Sequence, residues 1–438
     1  MVTFILKIRN RVKNMDLEQI IKSERIKVGK QAMNVAFTNY RINRDNAFQR
    51  INKDEVKEEL KKIKEFSIKN LEELKKKAVK NLQEENIKVF EAKDAKDACK
   101  IISDIIPKNE IIVKAKSNTI DEIGLSEFLK KRNRIVETDC GDFIVQICDE
   151  ESSHPVIPAL HIPIKKIVEK INQKFKVKLK ENPEDITKWV KKHLRKEILS
   201  SNIGLTGANA ISSDGSIFIL ENEGNISLVT RIPEKHIIVA GIDKIVSTSE
   251  DGLKICKALA VWGTGACMPA YINIISSPSK TADIQSKTIF GMHGTKEVYL
   301  ILVDNGRSEI IRQGFSELLY CANCGSCLYF CPAYRQILDN YGLHYYGGRG
   351  VGMTYFQDGI EKAFERGLYF CTTCQICKEN CPFEIDLPEM IKKLRKKSVE
   401  NGFETKVNER MIENIRSMGN PFGEELKEGK IPKELFCC

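Results

Sequence analysis

Eight cysteines stand in two runs of one spacing, CANCGSCLYFCP at residues 321–332 and CTTCQICKENCP at residues 371–382. Cys321, Cys324, Cys327 and Cys331 precede Pro332, and Cys371, Cys374, Cys377 and Cys381 precede Pro382. Three thiolates at three-residue intervals let one short loop hold three corners of an iron–sulfur cube, with backbone N–H groups of the filler residues facing its sulfides. The fourth cysteine lies one turn further on, where proline redirects the chain. In proteins with two such runs, the fourth cysteine of each ligates the other cluster. That rule gives one [4Fe-4S] cluster to Cys321, Cys324, Cys327 and Cys381, and a second to Cys371, Cys374, Cys377 and Cys331. Zinc prefers two CxxC knuckles separated by a longer loop, so eight thiols in two compressed runs suit it poorly. Two clusters in one small domain imply single-electron transfer.

The 39 residues between Cys331 and Cys371 leave room for a helix. FQDGIEKAFERGLYF (356–370) and DLPEMIKKLRKKSVENGF (386–403) read as helices framing the second run, with Pro388 near a helix start, where its missing N–H costs nothing. Gly347, Gly348, Gly350 and Gly352 in YYGGRGVGM follow no strand and precede no Lys-Thr pair. They read as a flexible connection between the clusters rather than a phosphate loop. A helical, cluster-binding domain is therefore expected over 312–400, followed by a linker or tail over 401–438.

Upstream, residues 54–89 carry apolar positions three and four apart among charges, the pattern of amphipathic helix. A helical N-terminal region over 1–60 and an α/β domain over 61–311 follow from the pattern. Helix is expected at CKIISDIIP (99–107), GLSEFLKKRN (124–133) and the lysine-rich segment 163–200, and strand at EIIVKAKS (110–117) and RIVETDCGDFIVQIC (134–148). Further strands are expected near SIFIL (216–220), HIIVAGI (236–242), YINIIS (271–276) and VYLILV (298–303), apolar enough for a sheet covered on both faces. Between them, Glu221, Asn222, Glu223 and Asn225 form a polar turn at a strand end, the best small-ligand candidate; the alternative is a capped turn. His154 and His161 lack a carboxylate or thiol at ligand spacing and read as structural. Cys99, Cys140, Cys148, Cys256 and Cys267 are scattered and read as buried free thiols.

With 438 residues the chain exceeds one core. Its hydrophobic content of 42% is ordinary, and its longest strongly apolar stretches are far too short to span a bilayer. Lys7, Arg9 and Arg11 interrupt the N-terminal apolar run before an export segment forms, and Met15 is an alternative start. A cytoplasmic, reducing location is expected, in which 15 cysteines are free or metal-bound rather than paired. The net charge of +10 gathers in residues 1–100, with 25 Lys+Arg against 16 Asp+Glu, and in 160–200, with 12 against 5. Aromatic residues are few among these lysines, so they read as solvated helix faces and not as a nucleic-acid surface.

The cysteine runs with helices between them resemble the α-helical ferredoxin type of heterodisulfide reductase and succinate dehydrogenase. The order of helical N-terminus, α/β domain and twin-cluster domain resembles the iron–sulfur protein of the lactate-utilisation system, whose α/β part is the LUD domain. The stretches that carry this are KSNTIDEIGL (116–125), ESSHPVIPALH (151–161), GLTGANAISSDGSIFILENEGN (204–225), EKHIIVAGIDKIV (234–246), LVDNGRSEI (302–310) and CPFEIDLPEMIKKLR (381–395).

The resemblance implies a fold similar to the ribose-phosphate isomerase and CoA-transferase group, then an all-α ferredoxin-like domain. It also implies a role in oxidising L-lactate or a related 2-hydroxy acid within a complex of several proteins. Where the family commonly reads Lys-Ser-Met, this chain has Lys116, Ser117 and Asn118, which bears on the substrate. Longer relatives continue past a segment similar to Asn420–Gly423 into a cysteine-rich domain of the heterodisulfide-reductase type, which suggests that a partner supplies that domain. Cys437 and Cys438 read as a frayed tail or as an extra thiol pair at that junction. No strand here leads into GxGxxG, so a flavin or nicotinamide is expected on a partner and not on this chain. Two further readings stand beside electron relay: a heterodisulfide-reductase-like component for another substrate, and a LUD domain with its own isomerase- or transferase-like activity switched by the clusters. A metal-stabilised assembly scaffold is a third.

Overall fold

In a computed structural model of the chain, which describes residues 17–426, 428 and 430–432, β-branched and aliphatic runs form a six-stranded parallel sheet. Its strands are β1 (Ile87–Ala92), β2 (Ile111–Lys114), β3 (Arg134–Glu137), β4 (Ile203–Thr206), β7 (Lys235–Gly241) and β12 (Glu297–Val303), in the order β1-β12-β7-β4-β2-β3. Side chains alternate across a strand, so Ile237 and Val239 enter the core under the helices Ala95–Ile105 and Leu125–Leu129. Ile238 and Ala240 enter the core under the helix Leu71–Glu84. A central parallel sheet buried on both faces is what these apolar runs require.

The missing strand numbers belong to two smaller sheets. β5 (Ala210–Ser212), β6 (Ser216–Glu221), β8 (Ile245–Val246) and β9 (Tyr271–Ile275) form a mixed sheet in the order β8-β5-β6-β9, and β10 (Lys280–Thr281) pairs with β11 (Ile289–Phe290). The expectation of two covered faces fails for 271–276. β9 is an edge strand, with Tyr271 55% and Ile274 51% exposed.

Other local expectations are corrected too. Strand β3 ends at Glu137, and Cys140–Cys148 is a helix. The Asp139 carboxylate caps it, accepting from the Gly141 and Asp142 N–H groups at 3.1 and 3.2 Å. The glycine-rich segment is likewise a helix, Gly347–Asp358, and not a flexible connection. It is glycine-rich because its neighbours leave no room: a Cβ on Gly350 would lie 2.0 Å from the Tyr345 carbonyl oxygen.

The expected boundary at residue 60 cuts the continuous helix Lys53–Lys69. Met33, Tyr40 and Leu60 share one core with Leu318, Leu319, Tyr334 and Leu338, so the N-terminal helices pack as part of the cysteine-rich region. Within that helix Lys57 and Lys64 are 7% and 3% exposed, so its lysines do not all lie on a solvated face. Met15, Cys437 and Cys438 lie outside the described residues. Among the described residues no helix is long and apolar enough to cross a membrane.

Candidate metal centre

The two cysteine runs adopt one backbone. Asn323 (φ 63°) and Gly325 (φ 78°) in the first, and Thr373 (φ 54°) and Gln375 (φ 67°) in the second, occupy the left-handed region at matching positions. The third cysteine of each run then enters a short helix, Ser326–Phe330 or Ile376–Glu379. For a β-branched residue such as Thr373 this conformation is costly, and such outliers gather at functional sites.

These turns aim main-chain donors at sulfur. The Asn323 and Thr373 N–H groups donate to the Cys321 and Cys371 Sγ atoms, each at 3.4 Å. After each proline the pattern recurs, with the Tyr334 N–H donating to Cys331 Sγ at 3.5 Å and the Phe383 N–H to Cys381 Sγ at 3.4 Å. Donors of this kind stabilise charge on cluster sulfurs and tune their potential.

Across the runs, the thiols group in a crossed fashion. Cys331 lines one cavity with Cys371, Cys374 and Cys377, closed by Tyr341, Gly347 and Gly348, and Cys327 reaches its wall. Burial pushes the Cys331 thiol up to about 11; the Tyr334 and Ala333 N–H groups oppose the rise, and the neighbouring Cys371 and Cys374 sulfurs add to it. Cys381 lies instead beside Cys321. Burial raises its thiol to about 12, against the Ile385 N–H and with the Cys321 sulfur. Cys324 is also raised by burial, with Cys321 and Cys381 as its charged neighbours.

Buried thiols that resist ionisation become thiolates when a cation binds them, so the donor set fits an iron centre. Among the described residues, no three His, Cys, Asp or Glu side chains converge closely enough to hold a single metal ion. A cubane's ligands each bind a different iron and have no such requirement.

A layer of buried charge, unseen from the spacing of motifs, covers the first run. The Lys244 ammonium donates to the Cys321 carbonyl at 3.3 Å and pairs with Asp243 at 3.0 Å. Lys64 donates to the Asp243 carbonyl at 2.5 Å, while at the second run Lys57 donates to the Glu379 carbonyl at 2.9 Å. Arg307 pairs with both oxygens of Glu122 at 2.8 Å and with Asp243. Arg349, 4% exposed, lies 4.0 Å over the Tyr345 ring. None of its three side-chain nitrogens has a hydrogen-bond partner among the described residues.

The small-ligand candidates are drawn apart. Glu221 is committed to capping, accepting from the Ile226 N–H at 2.6 Å and the Ser227 N–H at 2.9 Å, while Asn222 accepts from the Ala270 N–H at 3.2 Å. Glu223 and Asn225 face the end of β3 instead: Glu223 accepts from the Cys140 N–H at 3.1 Å, and Asn225 donates to the Thr138 hydroxyl at 3.2 Å. Burial and Asp139 push the Glu223 carboxyl up to about 7. His154 takes the Val156 and Ile157 N–H groups on Nδ1 at 3.1 and 3.3 Å, and His161 Nδ1 lies 2.9 Å from the Ser153 hydroxyl. Burial lowers the two imidazoles to about 3 and about 4, which keeps them neutral. Cys99, Cys148 and Cys256 are buried, whereas Cys140 and Cys267 are partly exposed.

Comparison with known proteins bears on both halves of the chain. Residues 75–303 match the LUD domain, and residues 317–385 match a 4Fe-4S dicluster domain. Lactate utilization protein B of Lysinibacillus sphaericus is 35% identical over 341 residues, 76% of this chain and 69% of that protein. An uncharacterized electron transport protein of Escherichia coli, YkgF, is 30% identical over 364 residues, 82% of this chain and 75% of that one. Among solved structures, a DUF162 family protein from Deinococcus radiodurans covers 53% of this chain and 98% of its own at 14% identity and a TM-score of 0.31. The chain therefore belongs to the lactate-utilisation iron–sulfur protein family, in which a LUD domain is followed by a 4Fe-4S dicluster domain.

Proposed function

We propose that this chain is the iron–sulfur electron-transfer subunit of an oxidoreductase complex that oxidises L-lactate or a related 2-hydroxy acid. Two [4Fe-4S] clusters supply the chemistry, accepting and releasing single electrons. Cys321, Cys324, Cys327 and Cys381 hold one, and Cys371, Cys374, Cys377 and Cys331 hold the other. The observation that carries this is the crossed grouping: Cys331 lines a cavity with the thiols of the second run, while Cys381 lies by Cys321.

The protein's own contribution is positional. Left-handed turns at Asn323 and Thr373 aim N–H groups at the first sulfur of each run, and Gly347 and Gly348 at the start of the helix Gly347–Asp358 line the cavity shared by Cys331 and the second run. Cys374 is exposed, so the second centre lies near the surface, where a partner protein can dock. Hydride abstraction from a hydroxy acid needs a flavin or nicotinamide, and the partner is its natural home. The similarity to lactate utilization protein B supports the substrate class.

Anaerobic purification followed by iron and sulfide analysis tests the assignment, with about eight irons per chain expected. Cys331→Ser should then remove the cluster of Cys371, Cys374 and Cys377 and leave about four irons. Loss confined to the cluster of Cys321, Cys324 and Cys327 would overturn the crossed assignment. Hydroxy-acid-dependent reduction in the reconstituted complex tests the relay; turnover by the cluster-free chain alone would favour a catalytic LUD domain.

A further inference from the structure

Four cations, Lys64, Lys244, Arg307 and Arg349, are buried together beside the first cysteine run, against two carboxylates, Glu122 and Asp243. Two positive charges are left over. A buried charge without a counter-charge is expensive, because low-dielectric surroundings cannot replace water. Arg307 is satisfied by Glu122 and Asp243, and Lys64 and Lys244 each reach an oxygen. Arg349 is the residue left over: three nitrogens without a hydrogen-bond partner among the described residues, a guanidinium against the Tyr345 ring, and almost complete burial.

Position shows what the surplus faces. Arg349 lies in the first turn of the helix Gly347–Asp358, which packs on the Ser316–Tyr320 turn leading directly into Cys321. Lys244 reaches the Cys321 carbonyl itself. Burial opposes the Arg349 cation, yet its proton affinity is raised, and the Cys321 sulfur is the largest of the neighbours that favour it. The second centre is surrounded differently. Beside it, the Arg395 guanidinium is partly exposed and already donates to the Leu368 and Cys371 carbonyls at 3.1 and 2.6 Å.

We propose that Lys64, Lys244 and Arg349 form a charge pocket for the anionic cluster at Cys321 and set its reduction potential independently of the other cluster. This rests on the two-cluster assignment above. Reduction adds one electron from the titrant to the group held by Cys321, Cys324, Cys327 and Cys381. No bond breaks and no proton moves, so negative charge there rises by one. The pocket stabilises that added charge, and Arg349, having no hydrogen-bond partner among the described residues, is the tuning residue whose removal is felt most.

The test is a dithionite redox titration of the anaerobically purified full chain, followed by electron paramagnetic resonance, with signals assigned in the Cys331→Ser background. Arg349→Met should lower the potential of the cluster at Cys321 by about 59 mV, a tenfold change in its oxidised-to-reduced ratio for a one-electron couple, and leave the other unmoved. Arg349→Lys should restore most of the shift. If Arg349→Met does not load iron, Lys244→Met should displace the same cluster in the same direction. Equal shifts of both clusters, or none in a chain holding about eight irons, would overturn the charge pocket. A wild-type iron content near four would instead overturn the two-cluster assignment.

Discussion

The Tyr40 hydroxyl lies 2.7 Å from the Ser326 hydroxyl and donates to the Trp262 carbonyl at 2.6 Å, all within the core. Three distant segments meet there: an N-terminal helix, a helix of the LUD domain, and the turn that carries Cys324 and Cys327. Tyr40→Phe keeps the stacking on Tyr329, whose ring lies 4.1 Å away, and strands the buried carbonyl. A loss of about 1–3 kcal/mol is expected by denaturant titration, with faster iron loss to a chelator.

Thr373 holds in the second run the place that Asn323 holds in the first, at φ 54° against 63°. Asparagine tolerates this conformation far better than a β-branched residue. Thr373→Asn should therefore stabilise the protein by up to about 1 kcal/mol, read as a higher denaturation midpoint, with iron content unchanged.

His236 is fully buried in β7 with Nε2 2.8 Å from the Thr206 hydroxyl, and burial lowers its pKa to about 3. An unfolded histidine takes a proton near pH 6.5, so the unfolded state binds more protons than the native one between that pH and about 3. This stability is fully present above pH 6.5 and is lost as pH falls through that window. Denaturation midpoints measured between pH 7 and 4 should fall less steeply for His236→Gln, by about 1.4 kcal/mol per pH unit below pH 6.

Arg307 is the counter-charge of two buried carboxylates. Although burial works to raise it, the Glu122 carboxyl stays below its usual range because of Arg307, with Asn305 and Tyr345 assisting. Arg307→Met should cost about 3–5 kcal/mol, most of it from Glu122 left charged without its cation. Adding Glu122→Gln should recover part of that loss, and strict additivity of the two changes would contradict the coupling.

The two cysteine runs were legible as one repeated spacing, and the matching left-handed turns at Asn323 and Thr373 and at Gly325 and Gln375 give both runs one backbone. The central strands were legible too, since Lys235–Gly241 and Glu297–Val303 are apolar on both faces. The helix Cys140–Cys148 was misread because FIVQIC has strand-like composition; the usable signal was Asp139, a capping residue, with Asp142 in the first turn. No local rule indicates a helix at Gly347–Asp358, because glycine disfavours helix by about 1 kcal/mol each. Its glycines are explained only by distant contacts, such as Leu318 3.0 Å from a Cβ placed on Gly352. Lys57 and Lys64 sit on the buried face with Leu60, but lysine argues for solvent until the partners supplied by residues 243 and 379 are known. Glu221 illustrates the opposite error, a polar turn whose carboxylate serves the next helix.

The helix Glu24–Phe48 packs first against Trp262 and its helix, and then against the turn around Ser326 and the helices near Tyr334, so its apolar face is fully covered only when the last third of the chain is made. During synthesis at ~5–20 residues per second, that face waits roughly 15–60 s for its last partners to leave the ribosome. This early-made helix is thus among the last to be fully covered, and a nascent-chain chaperone has a long opportunity there.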